Sequence, residues 1–161
     1  MKLTYLHGLE SNNLGEKNDW LKSYSEIFDP YIDYKELNIY QTLRNQIAAL
    51  QSDVIIGSSM GGFFAYEIAK ELNISAILFN PALHSRSITP DMTGHKEGIY
   101  KPFMYFIFGE NDDIINHIDT IKILENDGYG KQNYVIHNHG HRTPFEVFKR
   151  EIVYFTENKI Q

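Results

Sequence analysis

The sequence contains no cysteine among its 161 residues. This absence excludes disulfide bonds, thiolate metal sites and a cysteine nucleophile, and it is compatible with a reducing cytoplasm. No apolar stretch approaches the roughly 20 residues that a membrane-spanning helix needs, and the apolar run at the N-terminus is too short for a signal peptide. We therefore expect a cytoplasmic protein without a membrane span.

The sequence also lacks an excess of basic residues. Its 15 lysines and arginines are outnumbered by 21 aspartates and glutamates, which gives a formal charge of −6. Nucleic-acid binding usually needs a basic surface, so this charge argues against a nucleic-acid partner. Apolar residues make up 42% of the chain, a globular composition. We expect residues 1–161 to form a single domain.

Short apolar runs alternate along the chain with stretches of helical periodicity. The apolar runs predict strands over Lys2–Leu6, 31–37, 53–57, Ser75–Phe79, 103–108 and 132–137. Apolar residues three and four apart predict helices over 14–27, 40–50, Met60–Leu72, 116–126 and from Pro144 onward. Such alternation is typical of βαβ units with right-handed crossovers. The sequence therefore predicts an α/β fold, a three-layer sandwich with a mostly parallel sheet of about six strands.

A capping sequence marks the start of the last helix. In Thr143-Pro144-Phe145-Glu146, the threonine is the expected N-cap and proline occupies the first helical position. The glutamate stands where a capping box needs it. We therefore predict a helix that begins at Pro144.

The centre of the chain has a strand-turn-helix pattern, in which Asp53-Val54-Ile55-Ile56 runs into Gly57-Ser58-Ser59-Met60-Gly61. This pentapeptide fits G-x-S-x-G, the nucleophile elbow, in the context that the motif requires. The turn is so tight that Gly57 and Gly61 must be small, and the central serine is held in a strained conformation with its hydroxyl exposed. Ser59 is therefore the predicted nucleophile. A glycine-rich turn without chemistry is the alternative.

Two later loops could supply the partners of a serine nucleophile, which needs a base and a third group that orients the base. The loop 109–115 follows one predicted strand, and the loop 137–142 follows another, in the order serine, acid, histidine. Asp112 is the preferred acid. Asp113 stays open as its rival because spacing alone does not resolve adjacent residues, and either could instead cap the next helix. His141 is the preferred base because its loop can reach back over the elbow.

The histidine run permits a second interpretation. His137, His139 and His141 alternate, and in an extended strand their imidazoles would share one face, as metal ligands can. Asn138 and Gly140 disfavour a regular strand there, and no other ligand cluster stands out. We therefore predict no metal site and no cofactor.

The first strand ends in His7-Gly8-Leu9, which is expected to border the elbow, with the histidine in a structural role. The oxyanion hole of such an elbow combines the N–H of the residue after the nucleophile with one from this early loop. These would be the N–H groups of Met60 and Leu9. On position alone, the pocket is expected to be lined by Leu9, Phe63 and Leu83.

Together these features resemble the α/β-hydrolase superfamily, and within it the compact YqiA-like esterases. The pieces that carry the resemblance span most of the chain: Tyr5-Leu6-His7-Gly8-Leu9-Glu10-Ser11, Ile56-Gly57-Ser58-Ser59-Met60-Gly61-Gly62, Asn80-Pro81-Ala82 and Gly140-His141. Leu9 stands where that branch has an aromatic residue. The resemblance implies cofactor-free hydrolysis of carboxylic esters or thioesters with Ser59, Asp112 and His141 as the triad. The Gly-x-x-Asp pattern of the acid loop favours Asp112 over Asp113.

The resemblance also bears on the substrate, because the superfamily fold usually carries a cap over its site. Here the corresponding stretch 82–101 is short and polar, so we expect no large cap domain, an open pocket and small or flexible acyl groups. Its basic residues could attract an anionic leaving group, although ordinary surface charge is the simpler interpretation. The exact small-molecule ester or thioester, amide cleavage and the oligomeric state are left open.

Two other functions stay open at this point. A non-catalytic α/β-hydrolase-like binding domain is the main alternative, because a fold does not fix a function. A metal-binding protein centred on the histidine run is a third, less favoured hypothesis.

Overall fold

The computed structural model describes residues 1–160, in which six strands form one sheet. The strands are β1 (Lys2–Leu6), β2 (Glu26–Phe28), β3 (Val54–Ser58), β4 (Ser75–Phe79), β5 (Met104–Gly109) and β6 (Tyr134–His137). They lie in the order β2-β1-β3-β4-β5-β6, and every neighbouring pair is parallel. The central strands are almost fully buried, which explains why they are continuous apolar runs in the sequence.

Five α-helices cover the two faces of this sheet: α1 (Glu16–Tyr24), α2 (Ile39–Leu50), α3 (Met60–Leu72), α4 (His117–Asn126) and α5 (Phe145–Asn158). Helices α2, α3 and α4 contribute to the larger core cluster, which contains Phe64 and Phe106. Helices α1 and α5 cover the opposite face, where Leu21 packs with Phe148. The predicted three-layer α/β sandwich is confirmed. In residues 1–160 no helix is both long and apolar enough to cross a membrane.

The strand predicted over 31–37 is wrong. The chain instead forms the short β2 beside β1 and then passes through turns. The apolar alternation there reflects two buried side chains of a loop, Ile32 and Tyr34. The Ile32 N–H donates to His7 Nε2 at 2.9 Å, and the Tyr34 hydroxyl donates to the His7 carbonyl at 2.5 Å. Because β1 already pairs with β2 and β3, no strand edge remains beside β1 for residues 31–37.

The predicted start of the last helix is also wrong in detail. Helix α5 begins at Phe145, Pro144 is its N-cap residue, and no side chain caps it. The Thr143 side chain is buried, and its hydroxyl has no hydrogen-bond partner among residues 1–160. The Thr143 carbonyl accepts a hydrogen bond of 2.6 Å from Lys17 Nζ on α1. The tertiary position of the preceding loop, rather than local capping, therefore sets the start of α5.

The segment 82–101 contains no helix or strand, and the protein has no large cap domain, as predicted. Polar contacts fasten this segment to helices α2 and α3. The Asp91 carboxylate accepts from the Asn38 N–H at the start of α2, at 2.8 Å. The Lys96 N–H donates at 2.8 Å to Glu71 of α3, whose carboxylate also accepts from the Tyr40 hydroxyl. Much of the segment is thus tied to the α2–α3 side of the sheet.

The order of the strands places a crevice between β1 and β3. From β1 the chain moves outward to β2 and then returns to form β3 on the other side of β1. Ligands of open α/β sheets bind beyond the carboxyl ends of strands at such a switch point. The loop after β1 and the elbow after β3 meet at this point, and the loops after β4, β5 and β6 lie along the same edge.

Candidate active site

Ser59 occupies the turn between β3 and α3, with a backbone conformation of φ 53° and ψ −114°. A positive φ is uncommon for a residue with a side chain and costs of order 1–3 kcal/mol unless the surroundings enforce it. Here backbone hydrogen bonds hold the turn. The Ser59 N–H donates to the Phe79 carbonyl, and the Ser59 carbonyl accepts from the Ala82 N–H, both at 3.0 Å. The turn also places Ser59 at the positive N-terminal end of α3.

The two glycines of the elbow sit where a side chain would collide with backbone. A Cβ on Gly61 would lie 2.0 Å from the Leu6 carbonyl oxygen, and one on Gly57 would lie 2.5 Å from the Gly61 carbonyl oxygen. Gly61 thus lets α3 approach the end of β1, and Gly57 lets β3 pass close to the first turn of α3. The spacing of the motif reflects this close approach of strand and helix.

His141 reaches the serine from the loop after β6. Its Nε2 lies 2.9 Å from Ser59 Oγ, a hydrogen-bond distance. Its Nδ1 lies 2.8 Å from Asp112 Oδ2, so the ring bridges the hydroxyl and the carboxylate. When Nδ1 carries the proton, Nε2 is the acceptor that a serine hydroxyl needs. The structure thus brings the predicted serine, histidine and first aspartate into one row.

Asp112, rather than Asp113, faces the histidine. Its carboxylate is fully buried, and Oδ1 accepts hydrogen bonds of 2.9 Å from the N–H groups of Ile114 and Ile115. Burial alone would raise the pKa of Asp112, but the hydrogen bonds from His141 and these two amides outweigh it and lower the pKa. The buried carboxylate therefore stays ionised. Asp113 is exposed on the surface.

Neither aspartate caps the following helix. The N-cap of α4 is Asn116, whose side chain accepts from the Ile118 N–H at 2.9 Å. The capping role that the sequence left open for Asp112 or Asp113 is thus filled by a third residue.

Asn80 is a residue of this site to which sequence reasoning assigned no role. It follows β4, is 2% exposed and has a left-handed backbone with φ 43°. Its Nδ2 donates to the His141 carbonyl, and its Oδ1 accepts from the Gly109 N–H, both at 2.8 Å. Asn80 therefore joins the ends of β4 and β5 to the loop that carries the histidine. The sequence signal for a role of Asn80 is its position in Asn80-Pro81-Ala82, one of the segments that resemble the YqiA-like esterases.

The two amides expected to form an oxyanion hole belong to residues that line the cleft of Ser59. Leu9 and Met60 line the same cleft as the serine. Within residues 1–160, neither N–H donates a hydrogen bond to another residue. An amide without an internal partner at the start of a helix is suited to an anion.

The cleft around Ser59 has a volume of about 820 Å³. Its walls come from the loops after β1, β4, β5 and β6 and from the N-terminal part of α1. Apolar side chains form much of the lining: Tyr5, Leu9, Leu14, Phe79, Ile114, Ile115 and Phe145. Polar and charged side chains lie among them: Glu10, Glu16, Lys17, Asn18, Arg86 and Arg142.

The structure places the three pocket residues expected on position in three different surroundings. Leu9 lines the cleft, but Phe63 lines a neighbouring cavity of about 360 Å³, and Leu83 packs against the larger core cluster. Arg86 borders both cavities, with its guanidinium carbon 4.0 Å from the centre of the Phe63 ring. The loop after β4 does reach the cleft, but through Ala82, Ser85, Arg86 and Ser87 rather than through Leu83. Phe63 lies only four residues after Ser59, yet it faces the neighbouring cavity.

The histidine run does not form a metal centre. His137 Nε2 lies 3.0 Å from Glu151 Oε1, His139 Nδ1 lies 2.8 Å from the Gly140 carbonyl, and the His141 ring faces Ser59 and Asp112. Within residues 1–160, no group of three or more histidines and carboxylates is arranged to hold a metal ion. The His137 and His139 rings stack 6.1 Å apart, but the His141 ring turns to Ser59 and Asp112, so the three imidazoles do not converge on one point.

The parallel sheet, the elbow at its switch point and the position of the row Ser59–His141–Asp112 define an α/β-hydrolase fold. A family model covering residues 2–133 matches this chain, and its description is "Uncharacterised protein family (UPF0227)". The chain belongs to this family, the YqiA family, as the sequence resemblance predicted.

Three solved structures have a similar fold. A protein from Xanthomonas campestris pv. campestris, assigned to the α/β hydrolase superfamily, has a TM-score of 0.69 at 14% identity, covering 95% of this chain and 94% of its own. An esterase from Pyrococcus furiosus has a TM-score of 0.69 at 16% identity, with 96% and 81% covered. Esterase PE8 has a TM-score of 0.66 at 15% identity, with 99% and 92% covered. At these identities the likeness concerns the fold.

Proposed function

We propose that this protein is a serine hydrolase that cleaves carboxylic esters or thioesters through an acyl-enzyme on Ser59. The observation that carries the proposal is the unbroken row of hydrogen bonds from Ser59 Oγ through His141 to the Asp112 carboxylate, at 2.9 and 2.8 Å. A serine hydroxyl alone is a weak nucleophile, and this row supplies a base and a group that orients the base.

In the first half-reaction, Ser59 Oγ forms a bond to the carbonyl carbon while its proton passes to His141 Nε2. The carbonyl oxygen becomes an oxyanion, which the N–H groups of Leu9 and Met60 would stabilise. Such donors typically contribute about 3–4 kcal/mol each in the transition state. The bond to the leaving alcohol or thiol then breaks, and that group takes the proton from Nε2.

In the second half-reaction, water replaces the departed group. His141 Nε2 takes one proton from the water as its oxygen attacks the acyl carbon. The bond to Ser59 Oγ then breaks, and Nε2 returns a proton to the serine, which releases the acid. Asp112 stays ionised throughout, in keeping with its lowered pKa, and stabilises the imidazolium in both steps.

The form of the cleft supports a small-molecule substrate. Its volume of about 820 Å³ is in the range of small-molecule sites, and no cap domain restricts its mouth. Two of the proteins with a similar fold are described as esterases, which agrees with ester cleavage. We further propose that the enzyme acts in the cytoplasm, in keeping with its cysteine-free sequence.

The first test is labelling with a fluorophosphonate probe, which reacts covalently with an activated serine. We expect the wild type to be labelled and Ser59→Ala to be unlabelled. Hydrolysis of p-nitrophenyl acetate should fall by roughly a thousand-fold or more in Ser59→Ala, as in other serine hydrolases. A folded wild type that is neither labelled nor active would favour the binding-domain alternative.

The adjacent aspartates provide a matched pair of variants. Asp112→Asn should lower kcat by about a hundred-fold or more, because the ring loses its orienting carboxylate. Asp113→Asn removes the same charge one residue away and should leave kcat within about twofold of the wild type, since exposed substitutions rarely matter. Activity that disappears on treatment with a chelator would contradict the mechanism.

A further inference from the structure

Among the arginines within residues 1–160, Arg142 differs in having no hydrogen-bond or ion-pair partner for its guanidinium. Arg44 pairs with Glu71 at 2.9 Å, Arg86 donates to two carbonyls at 2.8 Å, and Arg150 pairs with Glu151 at 3.2 Å. The Arg142 guanidinium makes no hydrogen bond, ion pair or ring contact with any of residues 1–160. It directly follows His141 in the chain and lines the cleft that contains Ser59.

A second cation is held next to this arginine. Lys17 Nζ donates at 2.6 Å to the carbonyl of Thr143, and it lies 4.9 Å from the centre of the Phe148 ring. Burial, together with repulsion from Arg142, lowers the pKa of Lys17 against the opposing attraction of Glu16. Two positive charges are thus neighbours at the wall of the cleft. One of them, Arg142, directly follows His141 in the chain.

Two acidic residues line the cleft, and neither makes an ion pair with Arg142 in the described part of the chain. Glu16 acts on Lys17, which it precedes in the chain. Glu10 is exposed and lies in the loop after β1, and it makes no ion pair with any residue of the described part of the chain. Glu16 therefore offsets part of the charge of Lys17, whereas no carboxylate of residues 1–160 forms an ion pair with Arg142. Arg142 is exposed, lines the cleft that contains Ser59 and makes no ion pair with any of residues 1–160, although the protein has a formal charge of −6.

We propose that Arg142 binds a carboxylate of the substrate, so that the enzyme prefers esters or thioesters that carry a negatively charged group near the bond that is cleaved. A planar guanidinium with its donors free matches a carboxylate in a two-bond arrangement. A bound carboxylate would also relieve the repulsion between Arg142 and Lys17. This proposal rests on the proposed function, because it assigns the substrate class to the same cleft.

The test compares paired substrates in which one member carries a carboxylate where the other carries an uncharged group, and the ratio of their kcat/KM values is compared between the wild type and its variants. On the acyl side, the pair is the mono-p-nitrophenyl ester of adipic acid and p-nitrophenyl hexanoate. On the alcohol side, the pair is p-carboxyphenyl hexanoate and p-acetylphenyl hexanoate. We expect the wild type to have a higher kcat/KM for the charged member of one pair, and that pair identifies which side of the ester carries the carboxylate.

Arg142→Gln should remove this preference. Loss of a charge-assisted hydrogen bond predicts a fall of about 10-fold in kcat/KM for the charged substrate and a change within about twofold for the neutral one. Lys149→Gln is the matched control, because it removes a positive charge from an exposed position of α5 that does not line the cleft. Added salt should reduce the preference of the wild type.

A direct binding measurement separates this proposal from the proposed function. Monomethyl adipate and methyl hexanoate are titrated against Ser59→Ala, and the measurement is repeated with Ser59→Ala/Arg142→Gln. Tighter binding of monomethyl adipate that is lost in the double variant supports the carboxylate site even if no ester is hydrolysed. The proposal would be overturned if Ser59→Ala bound monomethyl adipate and methyl hexanoate with equal affinity. It would also be overturned if Arg142→Gln and Lys149→Gln reduced the kcat/KM preference for the charged substrate equally.

Discussion

At the scale of single residues, Asn80 is the side chain whose importance the tertiary structure brings out most. It makes no direct contact with the reacting atoms of the proposed mechanism, so it is a positioning residue. Its two hydrogen bonds fix the backbone of His141 relative to the end of β5, and β5 leads into the loop that carries Asp112. A displacement of the ring by about 1 Å can cost about 100-fold in rate, because the reacting groups must be aligned.

Asn80→Asp tests this role with little change of shape. The new carboxylate can still accept from the Gly109 N–H, but it no longer donates to the His141 carbonyl and instead repels it. We expect kcat to fall about 10- to 100-fold with KM nearly unchanged, measured on p-nitrophenyl acetate.

Asn133→Asp is the control for this prediction, because Asn133 has the same pair of contacts at the other end of β5. Its Nδ2 donates to the Met104 carbonyl at 3.1 Å, and its Oδ1 accepts from the Gly130 N–H at 3.0 Å. It should lower the melting temperature without lowering kcat of the folded enzyme. If both variants lowered kcat alike, Asn80 would be a merely structural residue.

His7 lies next to the site, and its contacts suit the structural role that the sequence predicts. It is 1% exposed, its Nδ1 lies 2.7 Å from the Gly8 carbonyl, and its Nε2 accepts from the Ile32 N–H. Burial lowers the pKa of His7, against the smaller opposing effect of the bond to Gly8. Since Nε2 must be unprotonated to accept this hydrogen bond, the folded protein favours the neutral form of the His7 ring.

This lowered pKa predicts a pH dependence of stability. His7 has its ordinary pKa in the unfolded chain and a lower pKa in the folded protein. At pH values between the two, the unfolded chain binds more protons at His7 than the folded protein does, so the free energy of unfolding rises with pH. The stability that the neutral His7 ring contributes is complete above the ordinary histidine pKa of about 6.5 and is lost as the pH falls below it. The free energy of unfolding changes there by at most about 1.4 kcal/mol per pH unit. Urea unfolding from pH 7.5 to 5 should therefore show a weaker pH dependence in His7→Gln, which keeps an acceptor but does not titrate. Equal slopes in the two proteins would contradict this assignment.

At the scale of elements, the contact between β1, β3 and α3 brings helix and strand backbones so close together that it leaves no room for a side chain. Gly61 allows it, because a Cβ there would lie 2.0 Å from the carbonyl oxygen of Leu6 and 2.5 Å from that of His7. Backbone cannot move aside as a flexible side chain can, so strand and helix would have to separate.

Gly61→Ala should therefore destabilise the protein by about 3 kcal/mol or more, the upper part of the range for overpacking. Any folded fraction should have a displaced Ser59 and react more slowly with a fluorophosphonate. Gly140→Ala is a suitable comparison, because its Cβ would meet only the Asn111 carbonyl, at 3.7 Å. Chemical denaturation of both variants measures the difference, and similar losses of stability would contradict the close-packing explanation.

At the scale of the whole molecule, the site exists because one edge of a parallel sheet collects the ends of consecutive strands. Ser59 and His141 are 82 residues apart in the chain, and His141 and Asp112 are 29 apart, yet the three side chains are in hydrogen-bond contact. Much of the segment that could cover them is fastened instead to α2 and α3 through Asp91 and Glu71. The cleft thus stays open to solvent.

The sequence by itself determined the features that depend on local chemistry. Runs of β-branched and other apolar residues predicted most of the strands. The small residues around Ser59 predicted an elbow, because larger residues do not fit such a turn. The candidate residues Ser59 and His141, and a choice between two aspartates, followed from loops placed after strands. These are properties that a stretch of about ten residues carries within itself.

Only the tertiary structure decided which of two adjacent carboxylates faces His141, what Asn80 joins, and why residues 31–37 alternate without forming a strand. Each depends on a partner far along the chain. The acid loop, for example, is fixed when the Glu110 and Asn111 N–H groups donate to the carbonyls of His137 and His139, at 2.8 and 3.0 Å. The direction of a side chain in such a loop is set by contacts that form only when the sheet is assembled, and short-range sequence patterns do not encode those contacts.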